Sequence, residues 1–491
     1  MSRITNSISR SFSEYLIIPG RTLRSTSIND VSLRSRITGD IEIPLPFLSA
    51  AMQSATGHQM AISLAEHGGL GVLPCSLSVE EQVKEVMKVK RFKAGFVYNA
   101  ITVSPHDKIH KLLEIERLHG YSTFPVTDGR RLIGLITEKR YHPEKDIHKD
   151  IREKMIPVEK LILGRDGITL DEANEMMIES GIGVLPIVDD EKILKSIVFY
   201  NDLKKQYHYP NAFIDKDKRL RVAGAVSTHP EDMERAEQLV KAGADFLSID
   251  ASDAHSDFTE EALENYKRFK KPIIAGNIVD ADGFNFLANA GADCVKIGQG
   301  SGSTCITRRV KSSGRGQATA VAEIAKERDR FFSKTGKYIP ICSDGGISST
   351  GDMAIAFALG ADLIMMGKYF AGFTESPMPL TERRFRVSSD DSGGLSEVIA
   401  YVKPYWGEGS TRAKSMKRYD HTDSKTFFAE GIDGFVLHKG SISKHLPTDA
   451  HAVRGAIAGA GAKNLQEFFQ KVKLEIQTGG SQIEGETHLL K

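Results

Sequence analysis

The chain has 491 residues, 40% of them hydrophobic and 26% charged, with 65 basic against 64 acidic side chains and a formal net charge of +1. That is enough chain for one large core and a second domain. A balance this near zero excludes a partner held by bulk basicity, so no nucleic acid is expected.

Four cysteines, Cys75, Cys294, Cys305 and Cys342, show no CxxC spacing, which excludes a disulfide framework and a zinc site and points to a reducing compartment. No apolar run reaches the roughly 18 residues that a membrane helix needs. The N-terminal Arg3, Ser7, Ser9 and Arg10 lack the apolar core of a secretory signal. The last four residues are not a peroxisomal address. A cytoplasmic location is expected.

In chain order, residues 13–20 form a short apolar segment closed by Pro-Gly. Strands are predicted over 47–52 and 69–74, with helices over 60–66 and 79–89 where apolar residues recur at helical spacing. The style then changes. Residues 94–205 hold two copies of one unit. Strands 123–128 and 132–137 answer to strands 184–189 and 193–198, and helices 109–117 and 170–179 precede them. A duplication at a period of about 60 residues marks a self-paired module. It resembles a tandem pair of cystathionine-β-synthase-type (CBS) domains, a family that binds adenine or guanine nucleotides between its copies. That family places a Thr or Ser three residues before a ribose-binding Asp; the first copy has Thr137 but Arg140 at the Asp position, and the second has Asp202 after Phe199. A structural or subunit-contact module is the alternative.

After Pro210 the strand–helix rhythm returns. Strands are predicted over 220–227, 246–251, 272–277, 294–298, 338–346 and 363–367, and helices over 231–242, 260–267, 281–290, 317–326 and 351–359. Short apolar runs opened by Gly-Ala-Asp turns at Gly243, Gly291 and Gly360 argue for parallel strands covered on both faces. With the two before the insertion they make eight, which gives an α/β fold and a (β/α)8 barrel. A doubly wound open sheet is the runner-up. The expected domains are 1–93, the first part of the barrel; 94–205, the CBS pair; and 206–491, the rest of the barrel with a flap over about 378–437 and a C-terminal tail. The regular pattern is lost after 378, apart from a helix over 464–472.

In such barrels active sites lie at the C-terminal strand ends. Those ends carry residues 49–54, Asp250 with Ser252 and Asp253, Asn277, the run V-K-I-G-Q-G-S-G-S-T-C-I-T over 295–307, residues 343–346, and Gly367 with Lys368. Glycines lets backbone N–H groups approach an anion, so the glycine loop with Ser303 and Lys368 suits a phosphate. Asp344 suits a ribose diol and Asp250 a second ribose. Cys305 suits a nucleophile, with a buried inert cysteine as the alternative. Asp253 reads better as a turn or cap residue.

The runs over 298–307, G-R-G-Q-A-T-A-V over 314–321 and S-D-G-G-I over 343–347 resemble the signature of the IMP dehydrogenase and GMP reductase family. The resemblance covers essentially the whole chain. It implies Cys305 as nucleophile, and a substrate nucleotide held by Ser303, Asp344, Gly345, Gly346, Gly367, Lys368, Tyr405, Gly407, Glu408, Gly409 and Glu430. It implies NAD held by Asp250, Ser252, Asn277, Gly298 and Gly300. It implies a potassium ion on carbonyls of Gly300, Gly302 and Cys305, completed from a neighbouring subunit by an E-G-G tail. Here the tail reads Glu484, Gly485, Glu486, so its third position departs, and Thr304 replaces the usual Ile before the cysteine. Homotetramers, pairing into octamers through the CBS domains, and purine nucleotides bound at those domains are also implied.

The activity implied is oxidation of IMP to XMP in guanine nucleotide synthesis. The thiolate attacks purine C2, hydride passes to NAD, and an activated water hydrolyses the thioimidate. The reductase alternative releases ammonia from GMP and takes hydride from NADPH. Only the dehydrogenase needs a water-activating base, which the resemblance assigns to Arg418 with Tyr419 on the flap. An arginine is a poor base at its ordinary pKa, so the site would have to favour the neutral form. Without the resemblance the pair reads as a solvated loop. Thr307 and Glu375, which reductases use for ammonia release, occur in dehydrogenases too and do not discriminate. The long flap and the extension past Val472 fit the dehydrogenase. A nucleotide-sensing protein without turnover is a further reading, opposed by the intact Cys305, Thr307, Asp344 and Arg418.

Overall fold

The computed structural model describes residues 4–5, 7–22, 24, 26–92, 97, 100–119, 122–200, 209–388, 395–415 and 428–485. Two compact units result: Met1–Lys90 with Asn211–Phe213 and Leu220–Lys491, and Arg91–Pro210 with Ile214–Arg219.

The larger unit is built on a closed parallel barrel. Its strands are β1 (Phe47–Ser49), β2 (Leu70–Leu73), β3 (Ala223–Val226), β4 (Phe246–Asp250), β5 (Ile273–Ile278), β6 (Cys294–Ile297), β7 (Ile341–Asp344) and β8 (Leu363–Met366). They pair in sequence, and β8 returns to β1. Almost every strand residue is buried. That is why the strands read as unbroken apolar runs. The covering helices are α1 (His58–Glu66), α2 (Val79–Phe92), α3 (Asp232–Ala242), α4 (Asp257–Tyr266), α5 (Ala281–Ala290), α6 (Gln317–Thr335), α7 (Thr350–Ala358) and α8 (Ile442–Gly459). α8 packs on both α7 and α1 and so completes the ring.

The Gly-Ala-Asp turns set the register. Gly243, Gly291 and Gly360 have φ near 101°, 97° and 101°, the left-handed geometry that ends a helix. Each Asp then accepts an amide at the start of the neighbouring strand or one residue before it. Asp245 takes Val222 N at 3.0 Å, Asp293 takes Ile273 N at 2.8 Å, and Asp362 takes Ile341 N at 2.9 Å. Each bond satisfies a donor that the ladder leaves unpaired at the barrel's base.

Three features depart from the sequence reading. Beyond residue 378, where no pattern was expected, Thr381–Ser388, Leu395–Trp406 and Asp433–Leu437 form an antiparallel sheet. Its first strand, T-E-R-R-F-R-V-S, has too little apolar alternation to announce itself. α8 was not foreseen because Pro447 lies inside it. Residues 13–20 hold a strand, Tyr15–Ile18, that pairs antiparallel with Lys473–Ile476 and ties the two chain ends together.

The smaller unit has the expected duplication. Helix Ile109–His119 precedes strands Thr123–Asp128 and Arg131–Thr137, and helix Leu170–Ser180 precedes Val184–Val188 and Leu194–Phe199. The copies meet symmetrically at their hairpin turns. Leu132 N donates to Lys192 O at 2.9 Å and Leu194 N to Arg130 O at 3.0 Å.

Candidate active site

The chain leaves β6 at Ile297 and turns at Gly298, whose φ is 148°. A Cβ there would strike the Asp344 backbone oxygen and crowd the Gln317 amide. Glycine is what lets this loop lie against the end of β7. Further along, Ser301 Oγ donates to Asp344 O at 3.2 Å, and a Cβ on Gly345 would sit 3.3 Å from Gly302 N. Gly345 and Gly346 are left-handed, with φ of 86° and 74°. The cysteine loop and the S-D-G-G loop are therefore one packed surface.

Cys305 is half-buried on that surface, with Sγ 3.1 Å from Thr307 Oγ1. Its loop is paired to the base of the antiparallel sheet. Ile306 N donates to Glu430 O at 2.8 Å, Ile432 N to Thr304 O at 2.9 Å, and Gly407 N to Ile432 O at 3.1 Å. Tyr405 is buried beside it, in reach of Ser303 and Thr304. The Tyr405 hydroxyl lies 2.9 Å from where a Cβ on Gly367 would be. Cys294 and Cys342 are wholly buried, and burial pushes both thiols well up. They are inert by the usual rule for apolar sites.

A charged centre lies next to the loop. Asn277 Nδ2 donates to Gly298 O at 2.8 Å and to Asp344 Oδ2 at 2.9 Å. Burial pushes the Asp344 carboxyl up, while Lys296 and Asn277 pull it back. Lys296 is 1% exposed, and its Nζ lies 3.3 Å from Asp250 Oδ1. Burial alone would lower the ammonium, but Asp250 and Asp344 overcome that and raise it. Lys296 carries no role in the sequence pattern of the site. Its signal was a lysine inside the buried strand C-V-K-I, since a lysine is almost never fully buried unless paired.

Asp250 also lines a cavity of about 1270 Å³ over the ends of β1 to β4, with Ser252, His229, Trp406 and Arg412 among its walls. The Arg412 guanidinium stands 4.2 Å from the Trp406 ring centre. Typical small-ligand pockets are about 300–1,000 Å³, so this one has room for a dinucleotide. The cavity wall thus carries Asp250, and the buried Lys296 beside it acts through its charge on both Asp250 and the Asp344 carboxylate next to the Cys305 loop.

The other expected residues are less uniform. Glu408 accepts Gln53 N at 2.8 Å, and Glu430 pairs with Lys311 Nζ at 3.1 Å. Lys368 is exposed on the turn after β8. Glu375 lines the cavity but its carboxylate is engaged at the start of α8, with Ser441 Oγ at 2.5 Å and Ile442 N at 3.0 Å. Asp253 is a turn residue that accepts His255 N at 3.4 Å. Glu484 and Gly485 end a short helix, Gly479–Glu484, near which Gln477 and Gln482 both donate to Ser13 O. Arg418, Tyr419 and Glu486 lie outside the described residues.

A family model described as "IMP dehydrogenase / GMP reductase domain" matches residues 9–488. The chain is 37% identical to the inosine-5′-monophosphate dehydrogenase of Tritrichomonas foetus, with 99% of this chain and 97% of the relative covered. It is 35% identical to the enzyme of that name from Schizosaccharomyces pombe, with 97% and 90% covered. Among solved structures it is similar to a Trypanosoma brucei GMP reductase variant in complex with guanosine 5′-monophosphate, at a TM-score of 0.86 and 28% identity, covering 99% of this chain and 98% of that one.

Proposed function

The chain belongs to the IMP dehydrogenase / GMP reductase family, and from that premise we propose that it oxidises IMP to XMP with NAD. The observation that carries the proposal is the half-buried Cys305, on a loop packed against Asp344, whose carboxylate shares the charge of Lys296 with Asp250 in the wall of a dinucleotide-sized cavity.

In this reading Asp344 accepts from the ribose hydroxyls of the nucleotide. The glycines of the two loops, with Ser303, Gly367 and Lys368, meet its phosphate, and Tyr405 with residues 407–409 and Glu430 closes over it. The Cys305 thiolate attacks purine C2 and a C–S bond forms, with Thr307 Oγ1 positioned to hydrogen-bond the sulfur. The hydrogen on C2 leaves with its electron pair. Water then adds at C2, the C–S bond breaks, and XMP departs as a proton is lost. Arg418 with Tyr419 is assigned to that water.

The cavity, with Asp250 and Ser252 in its wall, fits NAD, which when bound supplies the nicotinamide that receives the hydride; Asn277 is assigned to it as well. Gly298 and Gly300 would face it. A potassium ion is assigned to the carbonyls of Gly300, Gly302 and Cys305, with Glu484 and Gly485 of a neighbouring subunit. The Gly302 oxygen also accepts Cys305 N at 3.0 Å, and a carbonyl has a second lone pair for a cation. Homotetramers, octamers through the duplicated module, purine nucleotides bound there and a cytoplasmic location complete the proposal. Among the described residues no helix is long and apolar enough to cross a membrane.

The second reading is GMP reductase, favoured by the TM-score of 0.86 to the Trypanosoma brucei protein. Two assays on purified protein decide. IMP with NAD in potassium buffer should raise NADH absorbance. Consumption of NADPH with GMP, and no reaction with IMP, would establish the reductase instead.

A further inference from the structure

Lys403 stands in the strand Leu395–Trp406 and is 2% exposed. A buried ammonium is costly unless its hydrogens are satisfied. Nζ donates to three carbonyls of one loop, Phe373 O at 2.8 Å, Thr374 O at 3.0 Å and Ser376 O at 2.9 Å. An ammonium has three N–H bonds, and the loop uses all of them. Burial pulls the group down to about 8 while Glu375 opposes, so at neutral pH it is a cation.

The loop that wraps this ammonium follows β8 and is held on its other sides as well. Ser376 Oγ donates to Ala371 O at 2.8 Å and Thr374 N to Gly440 O at 2.9 Å. Between them Glu375 receives the start of α8 through Ser441 and Ile442. On the strand side, Tyr405 lies two residues beyond Lys403 and hence on the same face. Tyr405 closes on Gly367, and Glu408 takes Gln53 N from the loop after β1. The segment leaving the sheet also bonds this loop, Lys439 N to Gly372 O at 2.8 Å, but the ammonium is the fastener that comes from the strand carrying Tyr405.

We propose that Lys403 is a positioning residue for the substrate nucleotide: its ammonium, seated in the carbonyl cage of Phe373, Thr374 and Ser376, fixes residues 405–409 against the Gly367 turn. The nucleotide part rests on the functional reading above, whereas the cage and what it fixes do not.

The test uses the full-length protein and the variant Lys403→Ala. Without substrate, amide hydrogen exchange at 373–376 and 405–409 should quicken about tenfold or more. Methylammonium chloride should restore it by refilling the cage, and tetramethylammonium, which has no N–H, should not. In turnover, KM for IMP should rise about tenfold with kcat within about twofold, again restored by methylammonium. Unchanged exchange, or equal rescue by tetramethylammonium, overturns the cage. Restored exchange with KM unmoved overturns the nucleotide role alone. Should the Ala variant not fold, Lys403→Met keeps the stem and is expected to show the same loosening. Failure of both to fold in methylammonium overturns the proposal, because Lys403 would then hold the fold and not the loop.

Discussion

Replacing Lys296 by Met keeps the length of the side chain and removes its charge from between two carboxylates. Lys296 is 1% exposed and Asp250 is 21% exposed, and the two lie 3.3 Å apart. Deleting one partner of a buried pair costs about 3–5 kcal/mol at the full extent. Asp250 keeps some contact with water, so a loss of about 3 kcal/mol is expected at neutral pH. The pH dependence has a definite sign. Burial already raises the Asp344 carboxyl above its ordinary value, and Lys296 opposes that rise. Without Lys296 the folded-state value climbs further. The native state then binds a proton that the unfolded state releases, so the variant loses stability as pH rises and recovers it as pH falls. The loss relative to the parent should be larger at about pH 8 than at about pH 5. Urea unfolding followed by fluorescence of Trp406, the only tryptophan and 1% exposed, reads it at fixed protein concentration. A loss below about 1 kcal/mol, or one equal at both pH values, would refute the account of a charged centre shared by Asp250 and Asp344.

Further outcomes follow from single positions. Gly298→Ala places a methyl group against the Asp344 oxygen and should lower kcat/KM by about a hundredfold. Its control, Gly129→Ala, is also left-handed but has nothing within 4 Å, and should cost only about 1 kcal/mol with activity intact. Equal activity losses in the two would remove the crowding explanation. Glu85 is held down to about 2 although burial alone would raise it, because His58 and Lys88 hydrogen-bond its carboxylate. Its folded value lies below its unfolded one, so its contribution is complete above about 4.5 and disappears as pH falls through about 2. Glu85→Gln should therefore be less stable than the parent at pH 7 and converge with it in acid. A gap that persists in acid would mean that packing, not charge, sets it.

The barrel was legible because parallel strands covered on both faces need no alternation. Each of the eight appears in the sequence as an apolar run, and the Gly-Ala-Asp turns mark where three of them begin. The placement of Cys305, Asn277, Asp250 and Asp344 at the strand ends was legible for the same reason, since a barrel gathers its polar strand ends at one mouth. What escaped is chemistry that breaks compositional rules. Lys296 and Lys403 are buried, and lysine is ordinarily read as surface. Their compensation comes from residues far away in sequence, two carboxylates in one case and three loop carbonyls in the other. Pro447 concealed α8, and the charged strand Thr381–Ser388 concealed the sheet. The engagement of Glu375 by Ser441 and Ile442 is likewise a long-range contact without a local signal.

The central claim is a covalent bond between Cys305 and the nucleotide. Rapid acid quenching during turnover of IMP with NAD, followed by peptide mass spectrometry, tests it most directly. The account predicts a nucleotide adduct on the peptide carrying Cys305, absent from Cys305→Ala, which should fold and fail to turn over. An adduct on another residue, or turnover by Cys305→Ala, would contradict it.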